Sequence, residues 1–382
     1  MSKLRALVVD DTIVYRKIVS DVLAEFPDIE VVGTANNGKI ALHKINTLKP
    51  DFITLDIEMP EMNGLETLEA VNREHPHIGV IMVSTLTHDG SDMTIRALEL
   101  GAFDFIPKPQ SGTMRENLQS IRTLLNPIVK AFTRRRAIVR PGFRPTPLPA
   151  ARPSVPFRYP PEPPAPKAAS APPVPRPTPP GSSEIVAIGI STGGPNALAQ
   201  LIPALPDTLN VPILIVQHMP PVFTQSLAKS LDAKSRLRVK EAENGEALTA
   251  NTVYIAPGGK QMKVIAGNDG QNRLIRITDD PPENSCKPSA DYLFRSVSEY
   301  YLGRSTGVIM TGMGNDGSKG LKQMKQSGAY IIAQDEATCT VFGMPKEPIA
   351  SGIVDAVCPL TSISGEIVKS VRKHRYNGPI NL

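Results

Sequence analysis

Cysteine is scarce in this chain, and its distribution sets aside two classes of protein. Cys286, Cys339 and Cys358 are the only three in 382 residues. Their number is odd and no two stand at CxxC spacing, so neither a disulfide framework nor a thiolate metal site is expected. Also missing is any run of about 18 apolar residues, the length that a membrane-spanning helix needs. The first residues, Met1-Ser2-Lys3-Leu4-Arg5, pass directly into an apolar strand, without the apolar stretch and small-residue cleavage site of a secretory signal. A cytoplasmic chain that does not insert into membranes is therefore expected. Histidine is nearly as sparse: beyond residue 180 only His218 and His374 occur.

What is present divides the chain. Its length suggests two domains, and 41% hydrophobic residues suffice for ordinary cores. The net charge of +5 would suit a polyanion partner, but it is localised. Residues 1–125 carry 12 basic and 18 acidic groups, residues 126–180 carry 10 and 1, and the remainder 20 and 18. From Pro141 to Pro180, 17 of 40 residues are proline, which fixes φ and removes backbone donors. Residues 126–182 thus read as an extended basic tether between domains at 1–125 and 183–375. Arg134-Arg135-Arg136 reads as the solvated end of the first domain's last helix. With the basicity in a tether and no basic recognition-helix pattern, no nucleic-acid partner is expected.

In the first domain, apolar strands at Leu4–Val9, Ile29–Thr34, Asp51–Leu55, Gly79–Ser84 and Phe103–Ile106 alternate with helical stretches. The pattern predicts an α/β domain with a five-stranded parallel sheet, flavodoxin-like in architecture. Functional groups in such sheets collect at the carboxyl ends of strands, where Asp10-Asp11, Asp56, Ser84 and Lys108 stand. Three converging carboxylates repel one another unless a hard cation neutralises them, and oxygen donors of this kind suit Mg²⁺. A hydroxyl and an ammonium opposite would hold phosphoryl oxygens. Over roughly residues 3–125 these features resemble the receiver domain of bacterial two-component response regulators. The resemblance implies that Asp56 accepts a phosphoryl group from a histidine kinase. It places Mg²⁺ on Asp10, Asp11, Asp56 and the Glu58 carbonyl, with Ser84 and Lys108 as switch residues. It further implies a cis Lys108–Pro109 bond, and puts Phe105 where the switch aromatic is often Tyr or His.

The second domain repeats the logic with other polar residues. Strands at Ile185–Ile190, Pro212–Gln217, Asn251–Ala256, Gly307–Thr311 and Tyr330–Gln334 predict a doubly wound, Rossmann-like α/β domain. Short strands at Met262–Ala266 and Leu274–Thr278 form a β-hairpin insertion. Ser191 follows the first strand, His218 the second and Asp316 a later one. A serine nucleophile needs a base within reach and a group orienting that base. If this domain performs serine chemistry, the scarcity of histidine makes His218 the base. Gly189-x-Ser191-x-Gly193 has nucleophile-elbow spacing, but the order Ser, His, Asp differs from the order usual for that elbow. A glycine-rich loop opening a helix can also cradle a phosphate, so on this motif alone both chemistries stay open.

Four separated motifs in order resemble the catalytic domain of the CheB family, the chemotaxis protein-glutamate methylesterases. They are Ser191-Thr192-Gly193-Gly194-Pro195, Gln217-His218-Met219-Pro220, Tyr254-Ile255-Ala256-Pro257-Gly258 and Thr311-Gly312-Met313-Gly314-Asn315-Asp316-Gly317, and the match covers nearly all of residues 183–370. The resemblance implies Ser191 as nucleophile, His218 as general base and Asp316 as its orienter, with Thr192 and Met313 on the oxyanion loop. It implies methyl-accepting chemoreceptors as substrates, a chemotaxis-type histidine kinase as partner, and glutamine deamidation by the same acyl-enzyme route. No cofactor is expected for the esterase step, and a monomer is expected. Covering of the Ser191 site by the unphosphorylated receiver would link the two halves. Cys286 and Cys339 read as small fillers rather than nucleophiles, since no histidine is near them in sequence. Met219, Met313 and Met344 read as apolar site walls. A binding module without chemistry and a DNA-binding output domain are the rival readings.

Overall fold

The computed structural model describes residues 3–109, 112–139, 183–268, 270 and 272–372. The expected proline tether from residue 140 onward and His374 lie outside these residues.

The first domain alternates β1 (Leu4–Val9), α1 (Ile13–Ala24), β2 (Ile29–Ala35), α2 (Gly38–Leu48), β3 (Phe52–Asp56), α3 (Gly64–Glu74), β4 (Gly79–Ser84), α4 (His88–Glu99), β5 (Asp104–Pro107) and α5 (Met114–Val139). Its five strands pair in parallel in the order β2-β1-β3-β4-β5, as the sequence pattern predicts. Every residue of β3 is buried, because helices cover both faces of the sheet. Asn63 opens α3 with a full capping box, accepting from the Glu66 N–H while the Glu66 carboxylate accepts from its own.

The boundary expected at residue 125 falls inside α5. The helix continues because its apolar spacing continues: Ile121, Leu125, Ile128, Val129 and Phe132 are all buried. Phe132 packs against Phe52 and Phe103 and fills the space over Gly79, where an added Cβ would meet its ring at 2.2 Å. The cis bond expected at Lys108–Pro109 is also corrected: among the described residues only Lys287–Pro288 is cis. An X–Pro bond favours trans by roughly 0.5–1 kcal/mol when nothing forces the alternative.

The second domain contains β6 (Ile185–Ile190), α6 (Gly194–Leu201), β7 (Ile213–Gln217), α7 (Phe223–Asp232), β8 (Arg238–Glu241), β9 (Thr252–Ile255), β10 (Gln261–Ala266), β11 (Arg273–Thr278), α8 (Ala290–Tyr301), β12 (Ser305–Ile309), α9 (Ser318–Gln326), β13 (Tyr330–Gln334), α10 (Lys346–Ala350), β14 (Ala356–Cys358) and α11 (Leu360–Val371). Seven strands form a parallel sheet in the order β14-β13-β12-β6-β7-β9-β8, and β10 with β11 makes the separate antiparallel hairpin. The chain reverses direction around β6, so the crevice at the carboxyl ends of β6, β7 and β12 is the switch point where such sheets bind ligands. Among the described residues no helix is long and apolar enough to cross a membrane.

The domains pack directly. One apolar cluster joins Ile95, Leu98 and Phe105 of the first to Phe223, Leu227 and Leu231 of the second.

Candidate active site and phosphoacceptor pocket

Asp10, at the end of β1, and Asp56, at the end of β3, are buried side by side, and Asp11 is exposed at their rim. Donor oxygens from all three lie within 4.8 Å of one another. Lys108 Nζ stands 2.9 Å from Asp10 Oδ2 and 2.7 Å from Asp56 Oδ2. Neither contact has the angles of a good hydrogen bond, and both oxygens are otherwise without a donor. Burial, and then the charge of Asp10, push Asp56 up to about 7 against the pull of Lys108. Two buried, under-satisfied carboxylates beside a third fit a hard divalent cation, so this donor set suits Mg²⁺. Glu58 is exposed two residues beyond Asp56, and its side chain is outside the cluster.

Ser84 is fully buried, and its hydroxyl is engaged by α4. It donates toward the carbonyls of Gly90 and Thr85, both at 3.2 Å, and accepts from Thr94 Oγ1 at 2.7 Å. The Tyr15 ring lies over Lys108 Nζ at 4.9 Å.

In the second domain Ser191 leaves β6 on a turn fixed from three sides. Its N–H donates to the Thr311 carbonyl at 3.0 Å, and its carbonyl accepts from the Gly194 N–H at 2.7 Å and Gln217 Nε2 at 3.1 Å. Gly193 has φ 77, and a Cβ there would meet Thr340 Oγ1 at 2.3 Å. Gly312 lies between Ser191 and Met344, and a Cβ there would reach Ser191 Cβ at 2.7 Å and Met344 Sδ at 2.3 Å. Among the described residues the backbone N–H groups of Thr192 and Met313 have no acceptor, which leaves them free for a developing oxyanion.

His218 ends the strand next to Ser191. Its Nε2 stands 2.8 Å from Asp316 Oδ2. Asp316 is itself a buried hub: Asn284 Nδ2 and Ser289 Oγ donate to Oδ1 at 3.0 and 2.8 Å. The N–H groups of Ala290 and Asp291, at the start of α8, add bonds of 2.6 and 3.2 Å. Burial alone would raise this carboxyl, but the bonds from His218, Ser289 and the α8 N-terminus outweigh it and hold it at about 2. His218 is pulled down by burial, yet its bonds to Asp316 and Cys286 carry it up to about 9. The structure thus brings His218 and Asp316 together. Among the described residues Ser191 Oγ makes no hydrogen bond to the imidazole, whose partners are Asp316 and Cys286.

Three features escape sequence reasoning. Ser289 and Asn284 complete the shell of Asp316, and Gln217 fastens the Ser191 turn to the end of β7. The third corrects an expectation: Cys286 is no mere filler, since its Sγ lies 3.6 Å from His218 Nδ1. Absence of a nearby histidine in sequence says nothing about a contact made 68 residues away.

The two sites meet through the domain interface. The Phe105 ring packs tilted against Phe223, with centroids 4.5 Å apart and planes at 43°. Val222, just before Phe223, holds φ 76, a costly conformation for a β-branched residue. Ser91 and Ser226 bond at 2.7 Å, and Glu99 of α4 accepts from Ser230 at 2.6 Å and pairs with Lys234 at 2.5 Å. At the first residue of β5, the Asp104 carboxylate lies close to the hydroxyl of Thr192, the neighbour of Ser191. Burial pushes Asp104 up to about 6, opposed by the Phe105 N–H and the Thr192 hydroxyl.

Comparison with known proteins places the chain in a family. Residues 186–367 match the CheB methylesterase family, and residues 6–119 match the response regulator receiver domain. A protein-glutamate methylesterase/protein-glutamine glutaminase of Desulfotalea psychrophila is 55% identical over 379 residues, covering 97% of this chain and all of that one. Its counterpart in Bacillus subtilis is 44% identical over 376 residues, covering 97% of this chain and 99% of that one. The crystal structure of the Thermotoga maritima CheB methylesterase catalytic domain, 44% identical, covers 49% of this chain and 98% of that one with a TM-score of 0.48.

Proposed function

This chain belongs to the CheB family of methylesterases that carry a receiver domain, and from that premise we propose that it is a phosphorylation-controlled serine esterase of chemotaxis adaptation. Its substrates are glutamate methyl esters on chemoreceptors. The observation that carries this reading is the His218–Asp316 pair, anchored on the α8 N-terminus beside the Ser191 turn.

Because Nε2 faces Asp316, Nδ1 is the nitrogen available to Ser191. Ser191 Oγ attacks the ester carbonyl while His218 Nδ1 takes its proton, and Asp316 holds the ring and stabilises the imidazolium. The oxyanion settles on the Thr192 and Met313 N–H groups. His218 then returns the proton to the departing methanol, leaving an acyl-Ser191 ester. A water, deprotonated at the same nitrogen, cleaves that ester and releases the glutamate carboxylate. A glutamine side chain follows the same route with ammonia as leaving group, which is the second activity in the names of its relatives.

Asp56 is the phosphoacceptor. Asp10, Asp11, Asp56 and the Glu58 carbonyl would hold Mg²⁺, which would offset phosphoryl charge when bound. Lys108 pairs with a phosphoryl oxygen, and Ser84 exchanges its bonds to Gly90 and Thr94 for one to the phosphoryl group. That exchange acts on α4, whose other face binds α7, and loosens a receiver that otherwise restrains Thr192 and Phe223. The chain works as a cytoplasmic monomer, with a chemotaxis-type histidine kinase as phosphodonor.

Methanol release from methylated receptor tests this directly. Wild type should respond to a phosphodonor, while Ser191→Ala should lose at least ~10⁴-fold in rate with or without it. A Ser191→Ala variant as active as wild type would move the chemistry elsewhere and favour a phosphorylation-dependent binding module.

A further inference from the structure

The imidazole of His218 has a partner on each side, and only one belongs to the serine mechanism. Asp316 takes Nε2, and Cys286 Sγ faces Nδ1 at 3.6 Å. Cys286 is a free, half-buried thiol on a tight turn in which Asn284 and Ser285 hold φ 50 and 63. Reciprocal backbone bonds of 3.1 and 2.7 Å between Glu283 and Cys286 close that turn, and Arg295 clamps Glu283 from α8. The thiol is therefore held at the imidazole by a fixed loop.

The spacing is that of two ligands on one metal. Bonds of about 2.05 Å to imidazole nitrogen and about 2.3 Å to thiolate sulfur, meeting at a tetrahedral angle, separate the donors by about 3.6 Å. Donor atoms of His218, Cys286 and Asp316 all lie within 4.8 Å of one another. Asp316 sits on the far side of the ring, where it can accept the second N–H. Metal-bound histidines almost always have such an outer partner, which fixes the tautomer and strengthens the ligand. A thiolate with an imidazole selects a borderline-soft cation over Mg²⁺.

We propose that His218 Nδ1 and Cys286 Sγ form a reversible inhibitory site for a zinc-class divalent cation, with water completing the coordination. Binding releases the thiol proton and the Nδ1 proton of the imidazolium to solvent as the S–Zn and N–Zn bonds form, so affinity rises with pH. The metal occupies the lone pair that would accept the Ser191 proton, and esterase chemistry stops while it is bound. The inhibitory role rests on the esterase reading above, but the site itself does not.

The test uses the full chain with two readouts. Co²⁺ titration should give a thiolate-to-cobalt charge-transfer band in the near ultraviolet, absent in Cys286→Ala and retained in Cys358→Ser. Asp316→Asn should weaken Co²⁺ binding by ~10–100-fold, the usual cost of losing an outer partner. Micromolar Zn²⁺ should slow methanol release by wild type, reversibly on chelation, and each variant is read as its own ratio with and without zinc. That ratio should collapse toward one in Cys286→Ala. A band that persists in Cys286→Ala, no band in wild type, or equal zinc inhibition of both proteins overturns the proposal. A Cys286-dependent band in a chain that releases no methanol would leave the metal site standing and remove the esterase reading.

Discussion

Truncating Phe105 to alanine tests the coupling between the two sites most directly. Its ring is buried, and part of what buries it is Phe223 across the interface, 4.5 Å away between centroids. An aromatic pair contributes ~0.5–1.5 kcal/mol beyond burial, and burial of a whole phenylalanine ~1.5–3 kcal/mol. Only the part of the ring that faces α7 distinguishes the closed chain from the open one, because the rest packs on the receiver in both. The substitution should therefore bias the equilibrium toward the open chain by ~1–3 kcal/mol, or ~5–150-fold. Methanol release by the unphosphorylated chain should rise by that factor, up to the rate of the phosphorylated wild type. Stimulation by a phosphodonor should shrink in step, since one equilibrium serves both perturbations. Phe105→Leu, which keeps part of the contact, should fall between. If Phe105→Ala folds, accepts phosphate at Asp56 and still shows the wild-type basal rate, the interface is not the restraint.

Further outcomes follow from the electrostatics. Asp104 has a folded value of about 6 against 3.8, so its burial favours the protonated form, and closure loses stability as pH rises through about 6. Asp104→Asn keeps the shape and a carbonyl oxygen beside Thr192 without the charge, and should lower basal methanol release several-fold at neutral pH and flatten its dependence between pH 4 and 6. His218, raised to about 9, must lose its proton to act as base, so the esterase rate should climb with pH toward that value. The same pair stabilises the fold fully below pH 6.5 and less as pH passes about 9, which urea titrations across that range would read. Asp316→Asn should shift the activity profile toward pH 6.5 and cost ~10⁴-fold in rate, by analogy with triads that lose their orienting carboxylate. Chelation of Mg²⁺ should abolish stimulation by a small-molecule phosphodonor and leave the unphosphorylated rate unchanged.

Most of the fold is written locally. Buried parallel strands such as β3, β6 and β7 are continuous apolar runs, so the places of Asp56, Ser191 and His218 at or just beyond their carboxyl ends can be read from position, while the roles proposed for them rest on the family motifs. Elements whose stability is tertiary cannot. Edge strand β8 is Arg-Val-Lys-Glu, half exposed and charged, and β14, Ala-Val-Cys, is too short to carry a readable period. The shell of Asp316 was hidden for a related reason. A serine cap and an asparagine in a turn have common local roles, and only the fold points them at one carboxylate. Cys286 is the extreme case, a contact created by a loop whose sequence carries no sign of its neighbour.

The closeness of Asp104 to Thr192 has a consequence for how fast the chain can respond. Asp104 begins the strand that reaches Lys108, and Thr192 is covalently next to Ser191. At one of its points of touch each domain thus offers a residue close in sequence to its proposed site, Thr192 beside Ser191 and Asp104 four residues before Lys108. No message has to cross a hydrophobic core, and no sheet has to repack. The dead time between phosphorylation and esterase turnover is then the time two surfaces take to part, and substitutions deep in either core should change how long the protein lasts more than how promptly it answers.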